Sequence, residues 1–99
     1  MLFRSFWLPT VEMAIQRVAK RVREGGHGIP EAVIRRRYTR GLLNLFELYL
    51  PIVSTGIIYD GAEIPAMPIA EIDDAAMRVL DYSQWQIMLQ QAQEVRGDE

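Results

Sequence analysis

The sequence has no cysteine, one histidine and one lysine among 99 residues. Without cysteine there is no disulfide framework and no thiolate chemistry. A single histidine, His27, excludes a multi-histidine metal site, and no metal ligand set is expected. No apolar run approaches the ~20 residues of a membrane span. The stretch from Met1 to Pro9 is apolar, but it lacks the basic front and small-residue cleavage site of a secretory signal. The expected location is the cytoplasm. The lone lysine, Lys20, has no glycine loop before it, so the phosphate-cradling pattern G-x-x-x-x-G-K-[S/T] is missing. There is no G-x-S-x-G elbow, no Cys/His pair, and no paired carboxylates beyond Asp73-Asp74, which suits a turn or a helix start. The chain alone is not expected to be catalytic.

What is present is an uneven distribution of charge. The net charge of −2 combines two unlike halves. Residues 17–40 hold eight bases, seven of them arginine, against Glu24 and Glu31, a local balance of +6. Residues 41–99 hold ten acids against Arg78 and Arg96, a balance of −8. Arginine's planar fork matches phosphate and carboxylate oxygens, so the first segment calls for an anionic partner, which the acidic half could partly supply. With 49% apolar residues the chain can build a core, and its length fits one small domain or part of a larger one.

Residues 2–8 read as a short strand closed by Pro9. Thr10 then caps a helix whose buried stripe is Val11, Ala14, Ile15, Val18 and Val22. Arg17 and Arg21 share another face, one turn apart. Gly25-Gly26 stops this helix. Pro30 suits the first position of a second helix running to about Leu50, with Ile34, Tyr38, Leu42, Leu45 and Tyr49 on its apolar side. Gly41, mid-helix, predicts close packing. Gly56–Asp60 is a second strand. Residues 67–71 and 77–80 predict a hairpin turning at Asp73-Asp74, with a helix from Asp73 as the rival reading. Asp81 or Ser83 caps a last helix with Trp85, Met88, Leu89, Ala92 and Val95 inward. Tyr38, Tyr49 and Trp85 read as core. The expected class is α+β, predominantly helical, in a single domain 1–99.

The block Arg21-Val22-Arg23-Glu24-Gly25-Gly26-His27-Gly28-Ile29-Pro30, followed by Arg36-Arg37-Tyr38 and Asn44, resembles the C-terminal half of the zeta-toxin-like P-loop kinases of toxin–antitoxin systems. Those relatives carry a strand ending Trp-Leu-Pro, here Phe6-Trp7-Leu8-Pro9. They continue with R-V-x-x-G-G-H-x-[V/I]-P, an R-R-Y helix and a strand end Y-D-N-S, here Tyr59-Asp60. The resemblance covers most of residues 4–70. It implies that the chain is a fragment of a P-loop kinase α/β fold, with short parallel strands, a two-helix lid hairpin and a C-terminal helix. Residues 1–60 would be the lid segment, and 61–99 a hairpin or loop plus the last helix. It implies lid arginines on ATP phosphates, with Arg21 and Arg37 matching best and Arg36 as their neighbour. His27 and Asp60 are further candidates for nucleotide or substrate contact, the alternative for His27 being a turn residue. ATP and magnesium are implied for an intact relative, and the acceptor in the zeta toxins is a UDP-activated amino sugar. Gly61-Ala62 stands where relatives have Asn-Ser, which puts the role of that pair in doubt here.

By the same resemblance, the Walker lysine, the magnesium-binding hydroxyl and the acidic base fall before the residues that match Met1 onward. A separate P-loop-bearing chain is then an expected partner. The strand at 2–8 should lie parallel to 56–60 and lose its other neighbour, so a homo-oligomer through the exposed edge near Trp7 is expected. Two other readings stay open. One is a free-standing oligomeric interaction module without catalysis. The other is anion or nucleic-acid binding through Arg17–Arg40, although the lack of an aromatic stacking platform among those bases and of a known binding motif weighs against nucleic acid.

Overall fold

A computed structural model describes residues 2–97. Strand β1, Phe3–Trp7, stops just before Pro9, which has no amide hydrogen to give a ladder. Thr10 is extended, and its hydroxyl accepts the Met13 N–H at 3.3 Å, opening helix α1 over Val11–Arg23. Gly25, at φ +95°, gives the left-handed turn that ends it. Helix α2 spans Glu31–Asn44 with Pro30 in the cap position, one residue earlier than the expected first turn. It continues through a wider turn, Leu45–Tyr49, marked by the bond from Leu50 N–H to the Leu45 carbonyl. Strands β2 (Gly56–Asp60), β3 (Met67–Asp73) and β4 (Ala76–Val79) follow. Helix α3 spans Tyr82–Gly97, and the Asp81 carboxylate accepts the Gln84 N–H at its start.

The described residues thus form an α+β domain with three helices and one mixed sheet in the order β1-β2-β3-β4. β1 and β2 are parallel, with Phe3 opposite Gly56 and Trp7 opposite Asp60. The other two pairings are antiparallel. Parallel neighbours need a long crossover, and the α1–α2 hairpin supplies it. A Cβ on Gly56 would stand 2.8 Å from the Phe3 carbonyl oxygen, so glycine lets the two parallel strands start side by side. The core combines Trp7, Ile58 and Ala70 from the sheet with Leu42 and Leu45 of α2 and Met88 and Ala92 of α3. A bulge opposite Ile58 and Tyr59 inserts Ile69, which is also fully buried. The reverse face of the sheet carries Arg4, Phe6, Ile57 and Tyr59. Phe6 is 61% exposed although its ring stacks on Tyr59 at 4.9 Å. Among the described residues no helix is long and apolar enough to cross a membrane.

Three expectations change. None of the predicted α1 stripe is buried: Val11, Ala14, Ile15 and Val18 are half-buried and Val22 is exposed. Their partner is α2 and not the sheet, which leaves open grooves between the two helices. Tyr49 is exposed and not core, because the widened turn carries it to the rim, where its ring meets Phe3 at 5.5 Å. Gly41 is not closely packed, since a Cβ there would meet nothing within 4 Å.

The hairpin reading of 67–80 holds. Its turn is Asp74-Ala75, both left-handed at φ 51° and 62°. That twist matches the strands but normally requires glycine at the second position. Ala75→Gly should therefore raise stability by ~0.5–1 kcal/mol, the left-handed penalty less glycine's greater freedom when unfolded. Urea unfolding checks this through a higher midpoint at unchanged slope.

Candidate functional site

The carboxyl ends of parallel strands are where open α/β sheets place ligands. Here those ends are Leu8-Pro9 after β1 and Gly61 after β2. The Trp7 carbonyl accepts the Gly61 N–H at 2.7 Å, which ties the two ends together. Arg17 of α1 donates to the Gly61 carbonyl from the helix side. One turn further along α1, Arg21 projects from the same face. Arg37 of α2 faces them across the hairpin. These three arginines line one open groove of about 370 Å³, with Leu8, Ala14, Val18, Ile29, Ile34 and Tyr38 as its apolar lining.

The arginines of this groove are not neutralised within the hairpin. Glu24 pairs with Lys20, and Glu12 and Glu31 both pair with Arg35. Among the described residues no carboxylate lies within ion-pair distance of Arg21 or Arg37. Guanidinium groups with an apolar backing and no internal counter-charge make an anion site, and their forks favour phosphate oxygens.

A polar knot fixes the groove wall. Gln91 of α3 accepts the Trp7 indole N–H at 3.1 Å and donates to the Pro9 carbonyl at 2.7 Å. The Tyr38 hydroxyl donates to the Leu8 carbonyl at 2.6 Å and stands 3.3 Å from Gln91 Oε1. Burial pushes the Tyr38 phenol above its ordinary value, which the Gln91 and Trp7 contacts partly oppose.

Arg36 does not join Arg21 and Arg37. It lines a separate surface groove with Arg35, Thr39, Arg40 and Leu43 on another side of α2. His27 lies exposed in the linker between the helices and is not among the residues lining the arginine groove. Asp60 is buried, and its carboxylate accepts the Ala62 N–H at 2.9 Å, bracing the turn after β2. Sequence reasoning placed Arg17 beside Arg21 but not in the site, and it missed Gln91. Arg17 was legible from its four-residue spacing. Gln91 had no local signal, because its partners lie more than 50 residues away.

The groove offers three guanidinium groups that could hold phosphate oxygens. Magnesium finds less: no cluster of three carboxylate or histidine ligands occurs among the described residues, and Asp60 is engaged in its turn. No family model, curated protein or solved structure matches the chain.

Tyr38→Phe should cost about 1 kcal/mol at neutral pH by leaving the Leu8 carbonyl without its donor. The raised phenol adds a pH effect. The unfolded chain releases its proton first, so this stability is full below about pH 10 and is lost as pH rises through the folded value. The variant should therefore lose less stability than the parent in alkaline urea titrations.

Proposed function

We propose that the chain is the lid portion of a zeta-toxin-like P-loop kinase. It holds nucleotide phosphate with Arg21 and Arg37 and is not catalytic alone. The observation that carries this reading is the convergence of Arg17, Arg21 and Arg37 on one groove at the carboxyl ends of the parallel strands, without internal counter-charge. The parallel β1–β2 pair joined by a helical crossover also agrees with the kinase arrangement. In this role the guanidiniums stabilise charge on the phosphoryl group in transfer, while the phosphate loop and magnesium ligands come from outside these residues, on a P-loop-bearing partner. Magnesium and the complete ATP site would require the assembled pair, while the arginine groove of this chain alone supplies the phosphate contacts.

A second reading, an interaction module without catalysis, is favoured by the uncovered edge of β1. Calorimetry with ATP at low salt separates the two. Binding is expected for the parent chain. Arg21→Ala and Arg37→Ala should each weaken it by ~1–3 kcal/mol, the scale of a charge-assisted hydrogen bond. Arg36→Ala should leave it within about 0.5 kcal/mol, as for a surface change remote from the site. Absence of heat with ATP, or an Arg37→Ala variant indistinguishable from the parent, sinks the phosphate reading. Tighter binding to single-stranded oligonucleotides than to ATP, falling steeply with salt, would redirect it to nucleic acid.

A further inference from the structure

The free edge of β1 carries a specific pattern. The Phe3 N–H reaches the Thr55 carbonyl and the Trp7 carbonyl accepts from Gly61, so odd-numbered residues turn their backbone groups toward β2. By the two-residue period, Arg4 and Phe6 turn their N–H and C=O groups outward. The side chains alternate likewise: Phe3, Ser5 and Trp7 lie toward the helices, while Arg4 and Phe6 are exposed on the reverse face.

We propose that this edge takes a second copy of the chain, β1 against β1 antiparallel, across a two-fold axis at Ser5. Register and charge select this arrangement over its neighbours. With the axis at Ser5, Arg4 pairs with Phe6 of the second copy, and each pair exchanges both backbone hydrogen bonds. Each guanidinium then lies beside an aromatic ring, already stacked on Tyr59. With the axis at Arg4, two arginines would oppose each other, which is destabilising. With the axis at Phe6, Arg4 would need Leu8, whose carbonyl already accepts the Tyr38 hydroxyl.

Gly41 supports the same axis independently. Ser5 and Gly41 line one cleft of about 230 Å³ between the β1 edge and α2. Glycine in mid-helix costs about 1 kcal/mol relative to alanine, yet among the described residues nothing lies within 4 Å of where its Cβ would stand. A two-fold at Ser5 brings the second copy's α2 antiparallel across this point, where the missing side chain permits close approach. The first half of α2 then faces the partner's Leu45–Tyr49 turn, which holds no base. The dimer occupies the edge that a P-loop strand would use under the kinase reading, so the two assemblies exclude each other.

Light scattering over a dilution series should give twice the chain mass at tens of micromolar. Gly41→Glu should shift the dissociation constant at least tenfold upward with an unchanged far-UV spectrum, because a side chain there has open space in the monomer. Phe6→Pro removes one outward N–H without touching the β1–β2 ladder and should give a monomer. Register is read by cysteine, which the parent lacks. Ser5→Cys faces its own copy at the close spacing of a non-hydrogen-bonded pair and should cross-link on mild oxidation, while Arg4→Cys and Phe6→Cys should not. A monomer at high micromolar concentration overturns the proposal. So does cross-linking at Arg4→Cys or Phe6→Cys in preference to Ser5→Cys, or a dimer indifferent to Gly41→Glu. None of these outcomes touches the ATP titration, whose Arg21 readout lies on α1.

Discussion

The structure depends on one polar knot at the end of β1. Trp7, Leu8 and Pro9 present an indole N–H and two backbone carbonyls where the strand has run out of ladder partners. Buried polar groups without partners are costly, and each of these has one. Gln91 serves Trp7 and Pro9, and Tyr38 serves Leu8. Through these bonds α2 and α3 are both referenced to the first strand, although Gln91 is 84 residues from Trp7. The apolar core beneath would tolerate sliding, because dispersion and burial are non-directional. The knot removes that freedom and so fixes where α2 places Arg37.

The groove follows from this placement. α2 is held on the sheet by Leu42 and Leu45, whereas α1 has no buried residue and leans on α2 alone. A helix hairpin attached by only one of its members splays at the free one. Its two fixed points are the Arg17 contact to Gly61 and the Thr10 cap. Arg17 and Arg21 therefore stand over the strand ends, while Val18 and Ile34 line a groove that stays open.

Much of this was legible in the sequence, and the failures share one cause. Strands and caps were readable because Thr10, Gly25, Asp60-Gly61 and Asp81 are local signals. The Arg21–Arg37 convergence was readable because both flank a glycine turn. Tertiary choices were not. Hydrophobic period predicted a buried α1 stripe, but period says which face is apolar and not whether anything covers it. Tyr49 fell on the α2 stripe only if the helix kept its ordinary pitch, and the wider turn at Leu45–Tyr49 moved it to the rim. Arg36 and Arg37 are adjacent in the chain yet about 100° apart around a helix, which is why one lines the groove and the other does not.

The opposed charges of the two halves invite the idea that the acidic half neutralises the basic hairpin. The ion pairs argue otherwise. Lys20 and Arg35 find acids within residues 12–31, and Arg78 and Arg96 find theirs within the acidic half. No ion pair among the described residues joins 17–40 to 41–99. The side-chain links from that segment to the later half, Arg17 to the Gly61 carbonyl and the Tyr38 hydroxyl to Gln91, pair no opposite charges. Surface pairs of this kind contribute little to stability, so their arrangement is weakly constrained by folding. What folding does constrain is the position of the arginine groove at the strand ends, held by the Gln91 knot. A cationic groove that the fold positions and leaves without counter-charge has an anion from outside as its natural complement.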